Sequence, residues 1–101
     1  MAEELVRRQL RVTNPQGLHA RPAAELARLA DRFQSGIALI KQGQRVDAKS
    51  IMDLMTLAAE QGTELWLEAR GVDALAAADA IEKIFNEGLG DVDADPSTSQ
   101  L

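Results

Sequence analysis

Apolar residues recur at two different spacings along this chain, and the alternation between the two spacings constrains the fold more than any other feature. Four segments carry apolar residues at every second position or as a short run, and three carry them at every third or fourth position. The first pattern predicts strands and the second predicts amphipathic helices. The predicted strands are 5–13, 37–40, 45–48 and 63–70, and the predicted helices are 20–34, 51–60 and 74–86.

The order of these segments predicts the fold class. In chain order they read β-α-β-β-α-β-α, with one apolar face on each helix and alternating strands. An antiparallel sheet that buries one face under helices satisfies both patterns. We therefore predict an α+β fold, an open-faced β-sandwich in which a four-stranded antiparallel sheet carries three helices on one face. On such a sheet Trp66 lies on the open face.

The composition agrees with one folded domain followed by a short acidic segment. The chain has 101 residues, and 46% of them are apolar, which is enough to bury a core. Aromatic residues make up only 3%, so the core is built mainly from aliphatic side chains. After residue 90 the composition shifts to aspartate, serine and threonine. We predict a domain over residues 1–90 and a flexible acidic tail over 91–101.

Charge and cysteine content exclude several classes of function. The net charge is −5, whereas phosphate backbones demand a basic surface, so we expect no binding to nucleic acid. Without cysteine there is no disulfide and no thiolate chemistry. No apolar run approaches the roughly 20 residues of a membrane span, and the first residues are too acidic for a secretory signal. We expect a cytoplasmic protein that does not insert into membranes.

His19, the single histidine, stands where the first turn meets the first predicted helix. Pro22 fits the first turn of a helix, where backbone N–H groups have no intrahelical partner. Those N–H groups and the helix dipole form an anion site beside the imidazole. Arg21 can add a charge-assisted hydrogen bond to the same anion, and Gly17 allows the tight turn that presents the ring.

This group of residues favours covalent chemistry on the imidazole. A neutral imidazole nitrogen is a nucleophile at cytoplasmic pH, and its phosphoramidate is labile enough to pass a phosphoryl group on. A metal site is the weaker interpretation, because one histidine without clustered carboxylates supplies too few ligands. We expect neither a metal nor a cofactor.

Ser50 has two interpretations. The segment from Ser50 to Asp53 is a Ser-x-x-acid pattern ahead of an apolar helix, which predicts a helix N-cap. A hydroxyl at an N-cap is also a possible target of a kinase. The carboxylate of Asp53, however, would repel an added phosphate, so the capping role is the interpretation that we favour.

The second predicted helix has more apolar surface than one buried face requires. At about 100° per residue, one direction collects Leu54, Leu57 and Ala58. A second direction, a quarter-turn or more away, collects Ile51, Met52, Met55 and Ala59. Either the helix is deeply buried, or it has one core face and an exposed patch that contains methionine. We favour the second interpretation, since such patches adapt to several protein partners.

Two stretches of the chain resemble a known family. GLHARPA at 17–23 resembles the active-site motif of HPr, the histidine-containing phosphocarrier family of the bacterial phosphoenolpyruvate-dependent phosphotransferase system. KSIM at 49–52, followed by Leu54 and Met55, resembles the family's second signature, which surrounds a regulatory serine. The spacing of the two stretches and the order of the elements also match, over about residues 5–90.

The resemblance implies a role for each residue of the first stretch. His19 would accept a phosphoryl group on Nδ1 from phosphorylated enzyme I and pass it to enzyme II A-type domains. Arg21 would neutralise the phosphate, and the backbone N–H groups of Ala20 and Arg21 would hold it. A protein of this kind is a phosphocarrier and not an enzyme with turnover of its own.

The second stretch would contribute the surface that partners share. The resemblance implies a docking patch near His19, formed by Ile51, Met52 and Met55. It also implies that Ser50 is the serine that HPr kinase/phosphorylase modifies in some bacteria, which restrains transfer through the histidine. Two positions depart from the family pattern. Asp53 stands where many members have glycine, and Gln16 stands where asparagine or a small residue is common.

Two other functions stay open. One is an HPr-like regulatory protein of the nitrogen-related or catabolite-control branch, which signals by its phosphorylation state through the same histidine and patch. The other is a small domain that binds acidic ligands, for which Arg21 matters and His19 does not. For a carrier we expect a monomer that docks through the patch together with Arg21 and Arg28, with only modest salt dependence because the overall field is negative.

Overall fold

A computed structural model describes residues 4–90 of the chain. The strands are β1 (Glu4–Arg11), β2 (Gly36–Lys41), β3 (Gln44–Asp47) and β4 (Glu64–Gly71). The helices are α1 (Ala20–Ala30), α2 (Ile51–Thr56) and α3 (Ala74–Asn86), and a 3₁₀ turn covers Gly88–Gly90. The acidic tail predicted for 91–101 lies outside the described residues. Within residues 4–90, no helix is both long and apolar enough to cross a membrane.

The strands form one antiparallel sheet in the order β1-β4-β2-β3. The long strand β4 lies in the middle, where Leu67 pairs with Arg8 of β1 on one side and with Leu39 of β2 on the other. The predicted α+β class and the four-stranded antiparallel sheet with three helices are confirmed.

The core lies between the sheet and the helices, and the strands contribute every second residue to it. Phe85 of α3 is the one large aromatic side chain that is fully buried in the described range. Aliphatic residues fill the remaining space, as the scarcity of aromatics predicts. The core residues of the strands are Leu10, Ile37, Leu39, Val46, Leu65, Leu67 and Ala69, and those of the helices include Leu26, Leu54 and Ile81.

Arg8 interrupts the apolar alternation of β1, and α3 supplies the reason. Its guanidinium binds Asp79 at 3.0 Å and Glu82 at 2.5 Å. The hydrogen bonds that Arg8 donates to Glu82 and then to Asp79 raise the pKa of Arg8 above its ordinary value. The arginine therefore tethers the edge strand to the helix that covers it.

Three element boundaries differ from the prediction by two residues or more. The first strand ends at Arg11, two residues early, and α1 ends at Ala30, where a series of turns begins. The second helix is only six residues long and ends at Thr56. The backbone then reverses at Ala58, whose φ of 49° is left-handed. Because the helical pattern has ended, Ala58 is exposed and Ala59 is buried, the opposite of the predicted faces.

Asp73 occupies the N-cap position of α3, but its carboxylate does not cap the helix. Instead it accepts hydrogen bonds from Gln34 N and Ser35 N, each at 2.9 Å, and from the Ser35 hydroxyl. The Ser35 hydroxyl and then the Gln34 N–H lower the pKa of Asp73. Asp73 therefore joins the β4–α3 turn to the entry of β2.

Trp66 lies on the open face of the sheet, as expected, with 42% of its surface exposed. The Arg7 guanidinium lies over the indole, 5.1 Å from the ring centroid. Glu68 binds Arg45 at 2.6 Å and Arg7 at 3.0 Å. The hydrogen bond from Arg45, and then the charges of the two arginines, lower the pKa of Glu68. Ionic contacts between strands thus organise the face that the helices leave uncovered.

Candidate functional site

His19 is presented by a loop between β1 and α1 that is held to the neighbouring segment 59–63. Val12 N donates to Thr63 O at 2.9 Å, and Gly62 N donates to Val12 O at 2.8 Å. Nearer the histidine, Leu18 N donates to Ala59 O at 2.8 Å. Backbone hydrogen bonds at both ends therefore fix an irregular segment in place.

The turn inside this loop depends on Gly17. Its φ is 72°, a conformation that favours glycine. A Cβ at this position would lie 2.5 Å from the carbonyl oxygen of Ala59. The predicted tight turn is therefore present. Glycine is required at position 17 for two reasons, the backbone angle and the close approach of Ala59.

His19 is the N-cap residue of α1, and its backbone is extended. Its imidazole makes no capping hydrogen bond to the helix. The first helical bond runs from Ala23 N to His19 O at 2.9 Å. The N–H groups of Ala20 and Arg21 precede that bond, and Pro22 has no N–H. The half-buried imidazole therefore stands at the positive end of the helix dipole.

The electrostatics of this helix end suit an anion. The first turn of α1 contains no acidic residue. Arg21 is exposed on that turn, two residues after His19. Arg28, also expected to face partners, is exposed and binds Glu25 at 3.1 Å on its own helix. Of the two arginines, Arg21 is the one that the fold places at the helix start.

Two neighbours of His19 were missed by sequence reasoning. A shallow cavity beside the imidazole is lined by Gln16, Leu18, His19, Ala58, Ala59 and Glu60. Ala59 and Glu60 reach it because the chain reverses just after α2. In the sequence, the glycine at 17 was the one signal of a close approach between backbone segments near His19. Nothing in the sequence around Gly17 identified Ala59 and Glu60 as the residues that approach it.

The residues expected to form the docking patch lie on the surface of α2. Met52 is 77% exposed, Met55 44% and Ile51 43%, whereas Leu54 between them is buried. The helix therefore has one core face and one exposed apolar face. Lys41 anchors its carboxyl end, since Nζ donates to Leu57 O at 2.8 Å.

Ser50 caps the start of α2. Its hydroxyl oxygen accepts a hydrogen bond from Asp53 N at 3.1 Å, as the Ser-x-x-acid pattern predicts. The Asp53 carboxylate does not return the bond to Ser50; it accepts from Asp47 N at 3.3 Å. Ser50 is half-buried, and the residue whose N–H it caps, Asp53, carries the carboxylate that sequence analysis expected to oppose a phosphate.

Metal ligands do not converge in the part of the chain that the structure describes. No group of three or more histidine, aspartate or glutamate side chains among residues 4–90 is arranged to hold a metal ion.

Comparison with known proteins gives one consistent family. Residues 6–87 match the family model described as the PTS HPr component phosphorylation site. The phosphocarrier protein HPr of Treponema pallidum is 48% identical over 81 residues, which cover 80% of this chain and 92% of the relative. The match to the family model spans both sequence stretches described above.

Solved structures agree with the sequence comparison. HPr from Bacillus anthracis superimposes with a TM-score of 0.77 at 37% identity, covering 80% of this chain and 96% of that one. Crh, a catabolite repression protein of Bacillus subtilis, gives a TM-score of 0.68 at 43% identity, covering 81% and 94%. The chain therefore belongs to the HPr family of phosphocarrier proteins of the phosphotransferase system.

Proposed function

We propose that this protein carries a phosphoryl group on Nδ1 of His19, which it accepts from phosphorylated enzyme I and passes to enzyme II A-type domains during sugar uptake. Proteins of the family are carriers and not catalytic enzymes. The observation that carries the proposal is the position of the imidazole: it stands at the N-terminus of α1 without capping it.

The transfer chemistry needs only a neutral imidazole. The lone pair of Nδ1 attacks phosphorus while the bond between phosphorus and the donor nitrogen of enzyme I breaks. The proton of the ring stays on Nε2, so no separate base is required. In the transfer to an enzyme II A-type domain, a nucleophile of that domain attacks phosphorus while the bond between phosphorus and Nδ1 breaks.

The helix start supplies charge stabilisation for the phosphoryl oxygens. The N–H groups of Ala20 and Arg21 and the positive end of the dipole favour an anion beside His19. The guanidinium of Arg21 adds a charge-assisted hydrogen bond. The lack of an acidic residue in the first turn of α1 supports this assignment, because a carboxylate there would compete with the phosphate.

Partners would dock on the patch formed by Ile51, Met52 and Met55. The segment that follows α2 is hydrogen-bonded to the loop of His19 through Leu18 N and Ala59 O, which supports a site in which a partner on the patch reaches the imidazole. An exposed apolar surface that serves several partners in turn suits a monomeric cytoplasmic carrier. The domain of residues 1–90 would carry this function, with the acidic segment 91–101 as an appended tail.

Ser50 would be a regulatory site only if its hydroxyl gave up the capping hydrogen bond from Asp53 N. A phosphate on its hydroxyl would lose the bond from Asp53 N and would face the Asp53 carboxylate. Modification by an HPr kinase/phosphorylase is therefore disfavoured here. Replacement of Asp53 by glycine, the common family residue, should increase Ser50 phosphorylation by such a kinase if the carboxylate is the obstacle.

An HPr-like regulator is the alternative, and the similarity to Crh favours it. Crh is described as a catabolite repression protein and as a dimer with a swapping domain. Deletion of the gene discriminates the two functions: loss of sugar uptake favours the carrier, and unaltered uptake favours the regulator. Sedimentation of the protein would in addition show whether it is a monomer.

The direct experiment is phosphorylation by purified enzyme I and phosphoenolpyruvate, followed by intact mass. We expect a gain of one phosphate that is lost in mild acid and is absent in His19→Ala. The matched control is Gln16→Ala, which changes a neighbour in the same cavity and should keep the phosphate. A phosphate that persists in His19→Ala would refute the proposal.

A further inference from the structure

We propose that Asn14 is a positioning residue for transfer through His19, an inference that rests on the proposed carrier function. Asn14 lies in the loop between β1 and α1 and is only 1% exposed. With Ser35 it is one of two buried polar residues among residues 4–90. Burying a side-chain amide is costly unless it is hydrogen-bonded, so its contacts show what it is there to hold.

Asn14 holds the carbonyl oxygen of Gly17. The side-chain Nδ2 of Asn14 donates to Gly17 O at 2.6 Å. The backbone carbonyl oxygen of Asn14 accepts a hydrogen bond from Gly17 N at 3.1 Å. The Gly17 oxygen accepts a further bond from His19 N at 3.0 Å. One acceptor atom is therefore shared by the buried amide and by the backbone of the phosphoryl-accepting residue.

The peptide between Gly17 and Leu18 is consequently held at both of its polar atoms. Its oxygen receives the bond from Asn14, and its N–H donates to Ala59 O at 2.8 Å. Because a peptide unit is planar and rigid, two such bonds fix the direction of the chain that enters His19. We call these two hydrogen bonds the clamp. The side chain of Asn14 provides one of them, and the backbone of Ala59 provides the other.

The clamp matters for transfer because the rate depends steeply on geometry. A displacement of about 1 Å in a reacting group can cost about 100-fold in rate. An apolar residue at 14 would fill the same space but leave the Gly17 oxygen without this donor. An aspartate would have the same shape, yet its carboxylate would repel that oxygen instead of donating to it.

The test compares Asn14→Asp with Thr13→Val, a control in the same loop. The Thr13 hydroxyl donates to Phe85 O at 3.1 Å, so its loss weakens the loop without touching Gly17. Phosphorylation by enzyme I is measured as kcat and KM, beside thermal unfolding. We expect Asn14→Asp to lower kcat more than about tenfold with KM within about threefold, as lost positioning predicts. Thr13→Val should stay within about twofold in kcat.

A second variant and a second readout make the result decisive. Asn14→Ser keeps a short hydroxyl donor and should recover part of kcat; it also replaces Asn14→Asp in the comparison if that variant does not fold. Amide hydrogen exchange of Leu18 and His19 should accelerate in Asn14→Asp and not in Thr13→Val. Equal kcat losses in Asn14→Asp and Thr13→Val at equal stability would overturn the positioning role. Failure of the unmodified protein to accept phosphate would instead reject the carrier function itself.

Discussion

The N–H of Leu18 donates to the carbonyl oxygen of Ala59 at 2.8 Å, and this bond joins the loop of His19 to the segment that follows α2. Since α2 carries the proposed docking patch, the two parts of the proposed site meet at this contact. The approach is close enough that Gly17, next to Leu18, has no room for a Cβ. This contact therefore fixes the segment that follows α2 against the loop that presents the imidazole.

Gly17→Ala should disrupt this contact. The variant combines a left-handed φ with a Cβ placed 2.5 Å from Ala59 O, so the two segments must separate. We expect the free energy of unfolding to fall by more than about 1 kcal/mol, and phosphoryl acceptance at His19 to fall with it. Urea denaturation and the enzyme I assay measure the two effects.

Gly62→Ala is the matched control for Gly17→Ala. Its φ of 88° is also left-handed, but an added Cβ would meet nothing within 4 Å. It should therefore show the conformational cost alone, about 1 kcal/mol. Similar stability and similar phosphorylation in the two variants would mean that the contact with Ala59 does not position the loop.

Much of the fold could be predicted because local patterns and tertiary packing agree. The third helix was predicted with both of its ends, Ala74 and Asn86, since a turn precedes it and its apolar spacing continues to the end. The alternation of β4 also predicted which residues face the core and placed Trp66 on the open face. These features depend on residues that are close together in the sequence, so the sequence of one chain is enough to predict them.

Other features depend on contacts that no local pattern reveals. The second helix was extended toward Gly62, the next residue that favours a reversal, but the chain turns at Ala58. Lys41, from the β2–β3 hairpin, supplies the ammonium that binds the last carbonyls there. Likewise Asp73 bonds to the distant Ser35 instead of capping α3. Glu60 reached the cavity of His19 by the same kind of long-range packing.

Ala58→Gly should stabilise the protein. Ala58 has a φ of 49° at the position after the helix end where glycine is usual, and its side chain is exposed. Relief of the left-handed strain outweighs the entropy that glycine adds to the unfolded chain, so we expect a gain of about 0.5 to 1 kcal/mol. The measurement is thermal unfolding at constant pH.

Ala76→Gly is the control for Ala58→Gly. Ala76 is exposed in the first turn of α3, where glycine in place of alanine should cost about 0.5 kcal/mol. Opposite signs for the two substitutions are the expected result. A loss of stability in both would show that the reversal at Ala58 is not strained.

The contacts of Asp73 should make stability depend on pH. Hydrogen bonds from Ser35 and Gln34 lower the pKa of Asp73 in the folded protein, so folding favours its ionised form. That stabilisation is complete above the unfolded pKa of about 4. It is lost as the pH falls from there through the lower folded value. The stability difference between the unmodified protein and Asp73→Asn should therefore be larger at pH 6 than at pH 3.

Ser35→Ala tests the cause of that pH dependence. The Ser35 hydroxyl is the strongest of the contacts that lower the pKa of Asp73, so its removal should shrink the difference between pH 6 and pH 3. Urea denaturation at both pH values measures each variant. A pH dependence unchanged by Ser35→Ala would place its origin in another carboxylate.

Met52→Asp should weaken docking of enzyme I. Met52 is the most exposed residue of the patch, and a carboxylate there would have to be desolvated against an apolar partner surface. We expect KM for phosphorylation to rise more than about tenfold while kcat changes little, because the substitution removes binding that is made before transfer. Steady-state kinetics with enzyme I and phosphoenolpyruvate measure both constants.

Val72→Asp separates the surface from the added charge. Val72 is 75% exposed, nearly as much as Met52, but it follows β4 at the end of the strand opposite to the loop of His19. It adds the same negative charge to an already acidic chain, so a general electrostatic effect on enzyme I would appear in both variants. We expect KM within about twofold of the unmodified protein for Val72→Asp. Equal increases in the two variants would show that charge, and not the apolar patch, governs docking.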